Sequence, residues 1–202
     1  MARHLIVLSA PSGAGKTTVA RHLLQQFPFL SFSVSATTRP QRPGEVHGKD
    51  YFFLSREEFR DRIERDDLIE YEEIFGNYYG TLKSVVQEAL HRGDFLIFDV
   101  DVKGALSLRK AFPSETLLIF VAPPDLDTLA QRLRSRQTET PEQIQLRLSR
   151  AEMEMAHRDT FDVVLVNTDL STTLQQATDI VQLYTQGAPH QARLFDDSSL
   201  GT

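Results

Sequence analysis

The sequence predicts an α/β fold, a mostly parallel sheet of five strands flanked on both faces by helices, and three observations carry that expectation. Five apolar runs rich in β-branched residues read as buried strands. The stretches between them are long enough for crossover helices. A glycine-rich loop sits between the first such run and the first amphipathic helical pattern.

Taken in order, Leu5–Leu8 is the first strand, and Lys16–Phe27 follows as a helix with Val19, Ala20, Leu23, Leu24 and Phe27 on one side. Leu30–Ala36 reads as the second strand. The rhythm then breaks. From Thr37 to Tyr79 the chain offers short strands in "DYFFL" and "LIEYEEIF" around a small helix, which Ser55 and Glu58 open as a capping box. The regular alternation resumes with a helix over Leu82–Arg92, stopped at Gly93. Strands at Phe95–Val100, Leu117–Ala122 and Val163–Val166 alternate with helices at Lys103–Phe112, Asp125–Arg136, Pro141–Arg158 and Ser171–Gln186. One domain over 1–202 is expected. Its core spans 1–36, 82–125 and 160–186, with a small mixed insertion at 37–81, a helical lid at 126–159 and a frayed tail at 187–202.

Composition narrows the function. The 202 residues are 41% hydrophobic and 25% charged, ordinary values for a globular protein able to bury a core. No run approaches the roughly 18 apolar residues of a membrane span, and Met1-Ala2-Arg3-His4 offers no signal peptide. The absence of cysteine removes disulfides and thiolate chemistry, and the six histidines lack zinc-site spacing. A net charge of −6 argues against a nucleic-acid partner, so any anion is held by local charge.

The loop "APSGAGKT", Ala10-Pro11-Ser12-Gly13-Ala14-Gly15-Lys16-Thr17, has the Walker A pattern in its proper strand-to-helix context, with Thr18 just beyond. Glycines at 13 and 15 let backbone N–H groups close on phosphate oxygens, and the helix N-terminus adds partial positive charge. Lys16 is expected between the β- and γ-phosphates of a nucleoside triphosphate, and Thr17 on its Mg²⁺. Ala10 replaces the usual first glycine, which matters only if that position needs positive φ. The strand "FLIFDVD" ends at Asp99, a second candidate for Mg²⁺, through water.

After the second strand come Ser33, Ser35, Thr37, Thr38, Arg39, Arg42 and Tyr51, a mixture suited to a phosphate monoester or to a solvated turn. The "IEYEEIFGNYYGT" stretch then places Glu70, Tyr78, Tyr79 and Thr81 around a turn bracketed by Gly76 and Gly80. Together with "TTRPQRPGEVHGKDYFF" and the Walker A loop, this block resembles the guanylate kinases over about Leu5 to Tyr184. The resemblance implies a P-loop NTPase-type core with a GMP-binding insertion and a lid. It implies that Arg39, Arg42, Tyr51 and Tyr79 hold the GMP phosphate, that Ser35, Glu70 and Thr81 read guanine, and that Asp101 orients arginines or substrate. The chemistry agrees. One carboxylate accepts both guanine N1–H and the exocyclic amine, whereas adenine presents it with a lone pair.

Arg132, Arg134, Arg136, Arg147 and Arg150 concentrate charge in an otherwise acidic chain. Arg132 and Arg136, four residues apart, repel unless an anion arrives. Arg132, Arg136 and Arg147 are therefore expected on a mobile lid that closes over ATP, with "QTETPE" as its turn, while Arg134 and Arg150 fit a solvated face. The resemblance adds Arg136 and Arg147 as neutralisers of the transferring group, and Asn167 near the adenine end of ATP. The reaction implied is reversible transfer from MgATP to GMP, with dGMP also accepted, in the cytoplasm. A kinase for another monophosphate and a non-catalytic protein-binding scaffold are the alternatives; the sequence sets no oligomeric state.

Overall fold

A computed structural model describes residues 3–74, 76–135 and 140–186. The first unit of the chain is strand β1 (Leu5–Ser9), helix α1 (Lys16–Gln26) and strand β2 (Leu30–Phe32). Then come β3 (Ala36–Thr37), β4 (Phe52–Phe53), α2 (Arg56–Glu64), β5 (Leu68–Ile74) and β6 (Asn77–Leu82). The remainder runs α3 (Lys83–Arg92), β7 (Phe95–Asp99), α4 (Val102–Ala111), β8 (Thr116–Ala122), α5 (Leu126–Ser135), α6 (Pro141–Met155), β9 (Val163–Val166) and α7 (Leu170–Thr185).

The main sheet has the order β2-β7-β1-β8-β9, every pairing parallel. Its inner strands β7, β1 and β8 are largely buried, which is why they read as continuous apolar runs, while the edge strands β2 and β9 keep exposed positions. Side chains alternate across it: Ile6 and Leu8 join the cluster under α1 and α7, while Leu5 and Val7 join the one under α3 and α4. Each such leucine or isoleucine, fully buried, stabilises the fold by about 1.5–3 kcal/mol. Because β1 is central, the loop that follows it emerges at the carboxyl edge of the sheet, where α/β folds bind ligands.

The expected second strand is divided. Its first part, β2, pairs with β7, and the Ser33 N–H donates to Ile97 O at 2.9 Å. The chain then leaves the main sheet, and Ala36–Thr37 starts a second, mixed sheet of order β4-β3-β6-β5. Apolar character alone could not show this exit, since both parts are apolar at one face. Helix α6 also ends at Met155, short of the expected Arg158.

Gly80, read from sequence as bracketing a turn, lies inside β6. A Cβ there would stand 2.7 Å from the Glu70 carbonyl oxygen and 3.0 Å from Tyr71 Cβ. Strand β5 therefore approaches as closely as it does only because position 80 has no side chain. Gly80→Ala should cost about 1–3 kcal/mol through overpacking, seen as a lower thermal midpoint. An unchanged midpoint would show that β5 can move aside freely.

The register of β5 with β6 sorts the side chains. Glu70 pairs with Thr81 and Glu72 with Tyr79, so all four share one face. Tyr78 belongs to the other face, where it stacks on Phe59 of α2 with ring centroids 5.3 Å apart. The capping box at Ser55 and Glu58 forms as expected and fixes the start of α2.

Candidate active site

The glycine-rich loop turns on two residues with positive φ, Gly13 (96°) and Gly15 (107°). Gly15 is the N-cap of α1, which has no side-chain cap and no acidic residue in its first turn. The first N–H groups of the helix thus face the loop, the arrangement that attracts phosphate. Ala10 is harmless, since Asp66 is the only non-glycine with positive φ among the described residues.

Behind the loop, the buried Asn167 donates from Nδ2 to Ala14 O at 2.7 Å, and Thr173 Oγ1 donates to its Oδ1 at 3.3 Å. A Cβ on Gly15 would meet Asn167 Nδ2 at 2.5 Å. The amide of Asn167 thus braces the loop from behind. Arg132 Nη2 donates to the Asn167 carbonyl at 2.8 Å. From α6, Arg147 Nη1 donates to Ser12 Oγ at 2.5 Å. A cavity of about 610 Å³ lies between this loop and α6, bordered by Ser12, Lys16, Thr17, Thr18 and Arg147.

Across the sheet edge lies a second cavity of about 480 Å³, bordered by Ser35, Tyr51, Glu70, Glu72, Tyr79 and Asp99. Lys16 and Asp101 border both cavities and so mark their junction. Lys16 Nζ sits 2.6 Å from Asp99 Oδ1 and donates to Val100 O at 2.9 Å. The parallel register of β1 and β7 causes this closeness, because it sets Leu8 beside Asp99. The exposed Thr17 hydroxyl and the Asp99 carboxylate are hard oxygen donors, a set that suits a cation which keeps most of its waters and leans on phosphates.

Glu70 accepts from Thr81 Oγ1 at 2.6 Å. Burial raises its pKa above the ordinary carboxylate value; the Thr81 bond opposes this, and the nearby charges of Asp101 and Glu72 reinforce it. The buried Thr81 hydroxyl thus braces the Glu70 carboxylate from the neighbouring strand. Asp101 caps α4 by accepting from Gly104 N at 2.8 Å, and its Oδ2 lies 3.6 Å from Arg150 Nη2.

Arg39 and Arg42, expected at the acceptor phosphate, stand outside the lining of this second cavity. Arg39 makes a two-pronged pair with Glu45, at 2.8 and 3.1 Å, and lies over the Tyr51 ring at 5.3 Å. Hydrogen bonding between the pair raises the Arg39 pKa and lowers that of Glu45. Arg42, in the same exposed loop, donates its backbone N–H to Glu45 at 2.8 Å. Neither arginine borders the 480 Å³ cavity, whereas Ser35, Tyr51, Glu70, Tyr79 and Asp101 do. Arg136 and the first half of the "QTETPE" turn fall outside the described residues. Sequence reading missed Glu45, although an acid three residues after Arg42 was its signal. It also missed the Lys16–Asp99 pair and the reach of Arg150 towards Asp101.

Comparison with known proteins agrees with this geometry. A family model described as guanylate kinase matches residues 2–184. The chain is 50% identical over 171 residues to a guanylate kinase of Chlorobium luteolum, covering 85% of this chain and 87% of that one. A guanylate kinase of Salinibacter ruber is 51% identical over 175 residues, covering 86% and 93%. The crystal structure of guanylate kinase from Anaplasma phagocytophilum superposes with a TM-score of 0.67 at 32% identity, covering 91% of this chain and 87% of that one.

Proposed function

The chain belongs to the guanylate kinase family and phosphorylates GMP to GDP at the expense of ATP, and from there we propose which residues perform the reaction. The observation that carries the proposal is the pair of cavities meeting at Lys16 and Asp101, with Glu70 held on one face of the second. ATP lies along the loop Ala10–Thr18, and Lys16 spans its β- and γ-phosphates. GMP lies in the 480 Å³ cavity, with its base against Glu70 and Ser35. Its phosphate meets Tyr51 and Tyr79, and Arg39 and Arg42 close on it from the rim.

The divalent metal that accompanies ATP would be Mg²⁺, which Thr17 and, through water, Asp99 would hold, and it would supply positive charge at the transferring phosphoryl group. The attacking oxygen of GMP is already anionic, so no general base is required. Alignment and charge stabilisation remain, and they come from Lys16, Arg39, Arg136 and Arg147. Arg132 and Asn167 support the ATP end. The same contacts serve the reverse reaction, and none of them reads the ribose 2′-hydroxyl, so dGMP is accepted too. Among the described residues no helix is long and apolar enough to cross a membrane; we place the enzyme in the cytoplasm.

The pH dependence of GMP binding tests this reading. Guanine binds ionised Glu70, whose pKa burial raises above the ordinary carboxylate value. The KM for GMP should therefore fall as pH rises through that raised value and then level off. The GMP phosphate itself titrates near pH 6, so the informative quantity is the difference from Glu70→Gln, which should lack the Glu70 limb. Identical profiles for the two proteins would remove Glu70 from the base site.

A further inference from the structure

Helix α6 carries two arginines, three residues apart on one face, that reach opposite sides of the reaction bay. Arg147 reaches the phosphate loop at Ser12. Arg150 turns towards the acceptor side. Its Nε donates to Glu154 Oε1 at 3.1 Å, and its Nη2 lies 3.6 Å from Asp101 Oδ2 and 3.7 Å from Glu72 Oε1. Those three carboxylates belong to different parts of the molecule: the lid helix itself, the N-cap of α4 in the core, and β5 of the acceptor sheet.

The Arg150 side chain is 55% exposed, and exposed ion pairs add little to folding stability. Their effect is different when the partners sit on bodies that shift relative to one another. A cation shared between two such bodies favours the arrangement in which they are close, whatever it contributes to the fold. Here it also offsets repulsion, because Glu72 and Asp101 lie close enough to Glu70 for the three carboxylates to oppose one another's charge.

We propose that Arg150 is a positioning residue that ties the lid to the acceptor sheet, so that lid closure over ATP and seating of GMP become one coupled event. It touches no reacting atom. The tie rests on the acceptor-site reading above, since Glu72 and Asp101 border the cavity assigned to GMP.

The experiment measures the Kd of GMP with and without a saturating non-hydrolysable ATP analogue, in wild type, Arg150→Gln, Arg150→Lys, and the charge swap Arg150→Glu with Glu72→Arg. In wild type the analogue should tighten GMP binding. Arg150→Gln should reduce that factor about fivefold, a small coupling on the usual scale, while each nucleotide alone binds within about twofold of wild type. Arg150→Lys and the charge swap should recover part of the factor, which loss of a merely structural contact would not allow. An unchanged factor in Arg150→Gln, or no coupling in wild type, overturns the tie. So does an equal loss of both separate affinities with a lower thermal midpoint. Wild-type protein that binds the analogue but not GMP would instead overturn the acceptor-site reading, and the tie with it.

Discussion

Lys16→Met should lower kcat for phosphoryl transfer to GMP by about three orders of magnitude while changing the Kd of GMP far less. Lys16 is the cationic side chain at the junction of the two cavities, 2.6 Å from Asp99. In the transition state its ammonium faces charge spread over the moving phosphoryl oxygens. Removal of one preorganised donor of this kind typically costs 10²- to 10³-fold, and loss of a full charge lies at the upper end. The variant also leaves Asp99 without its partner, so a thermal midpoint should be recorded beside the kinetics. A kcat within about tenfold of wild type in a folded variant would show that the lid arginines carry the charge stabilisation instead.

Glu70→Gln should lower kcat/KM for GMP by about 100-fold and leave ATP binding unchanged. The carboxylate offers one oxygen to Thr81 and retains enough acceptor capacity for both guanine donors. An amide of the same shape has one acceptor oxygen and an NH₂ group. If its oxygen turns to guanine, one of the two guanine donors is left poorly paired. If its NH₂ turns to guanine, donor faces donor. Either way a charge-assisted bond is lost and a buried donor is left unpaired, which together give this magnitude. A small effect on GMP with a large one on ATP would reverse the assignment of the two cavities.

Much of this was legible in the sequence, for reasons that differ by region. Inner strands announce themselves as apolar runs, so β7 and β8 fall where Phe95–Val100 and Leu117–Ala122 were expected, with small differences at the ends, and the edge strand β9, all valine and leucine, falls at Val163–Val166. The phosphate loop is local, and its chemistry depends on neighbours in the chain. Local rules also found the capping box of α2. What escaped was set by tertiary pairing. The break between β2 and β3 depends on where β6 lies, and Gly80 reads as a turn residue until β5 is laid against it. The bond from Thr81 to Glu70 follows from the cross-strand register, which the sequence does not display. Arg150 looked like part of a solvated face because its partners, Glu72 and Asp101, are distant in sequence.

The assignment of Glu70 as the reader of guanine is best tested by comparing kcat/KM for GMP with that for inosine monophosphate, in wild type and in Glu70→Gln. The two acceptors differ by the exocyclic amine alone, and both keep N1–H. Wild type should prefer GMP by about 100-fold, the scale expected when a buried acceptor loses its donor, and the preference should collapse towards unity in the variant. An equal preference in both proteins would contradict the assignment and place guanine recognition on other residues.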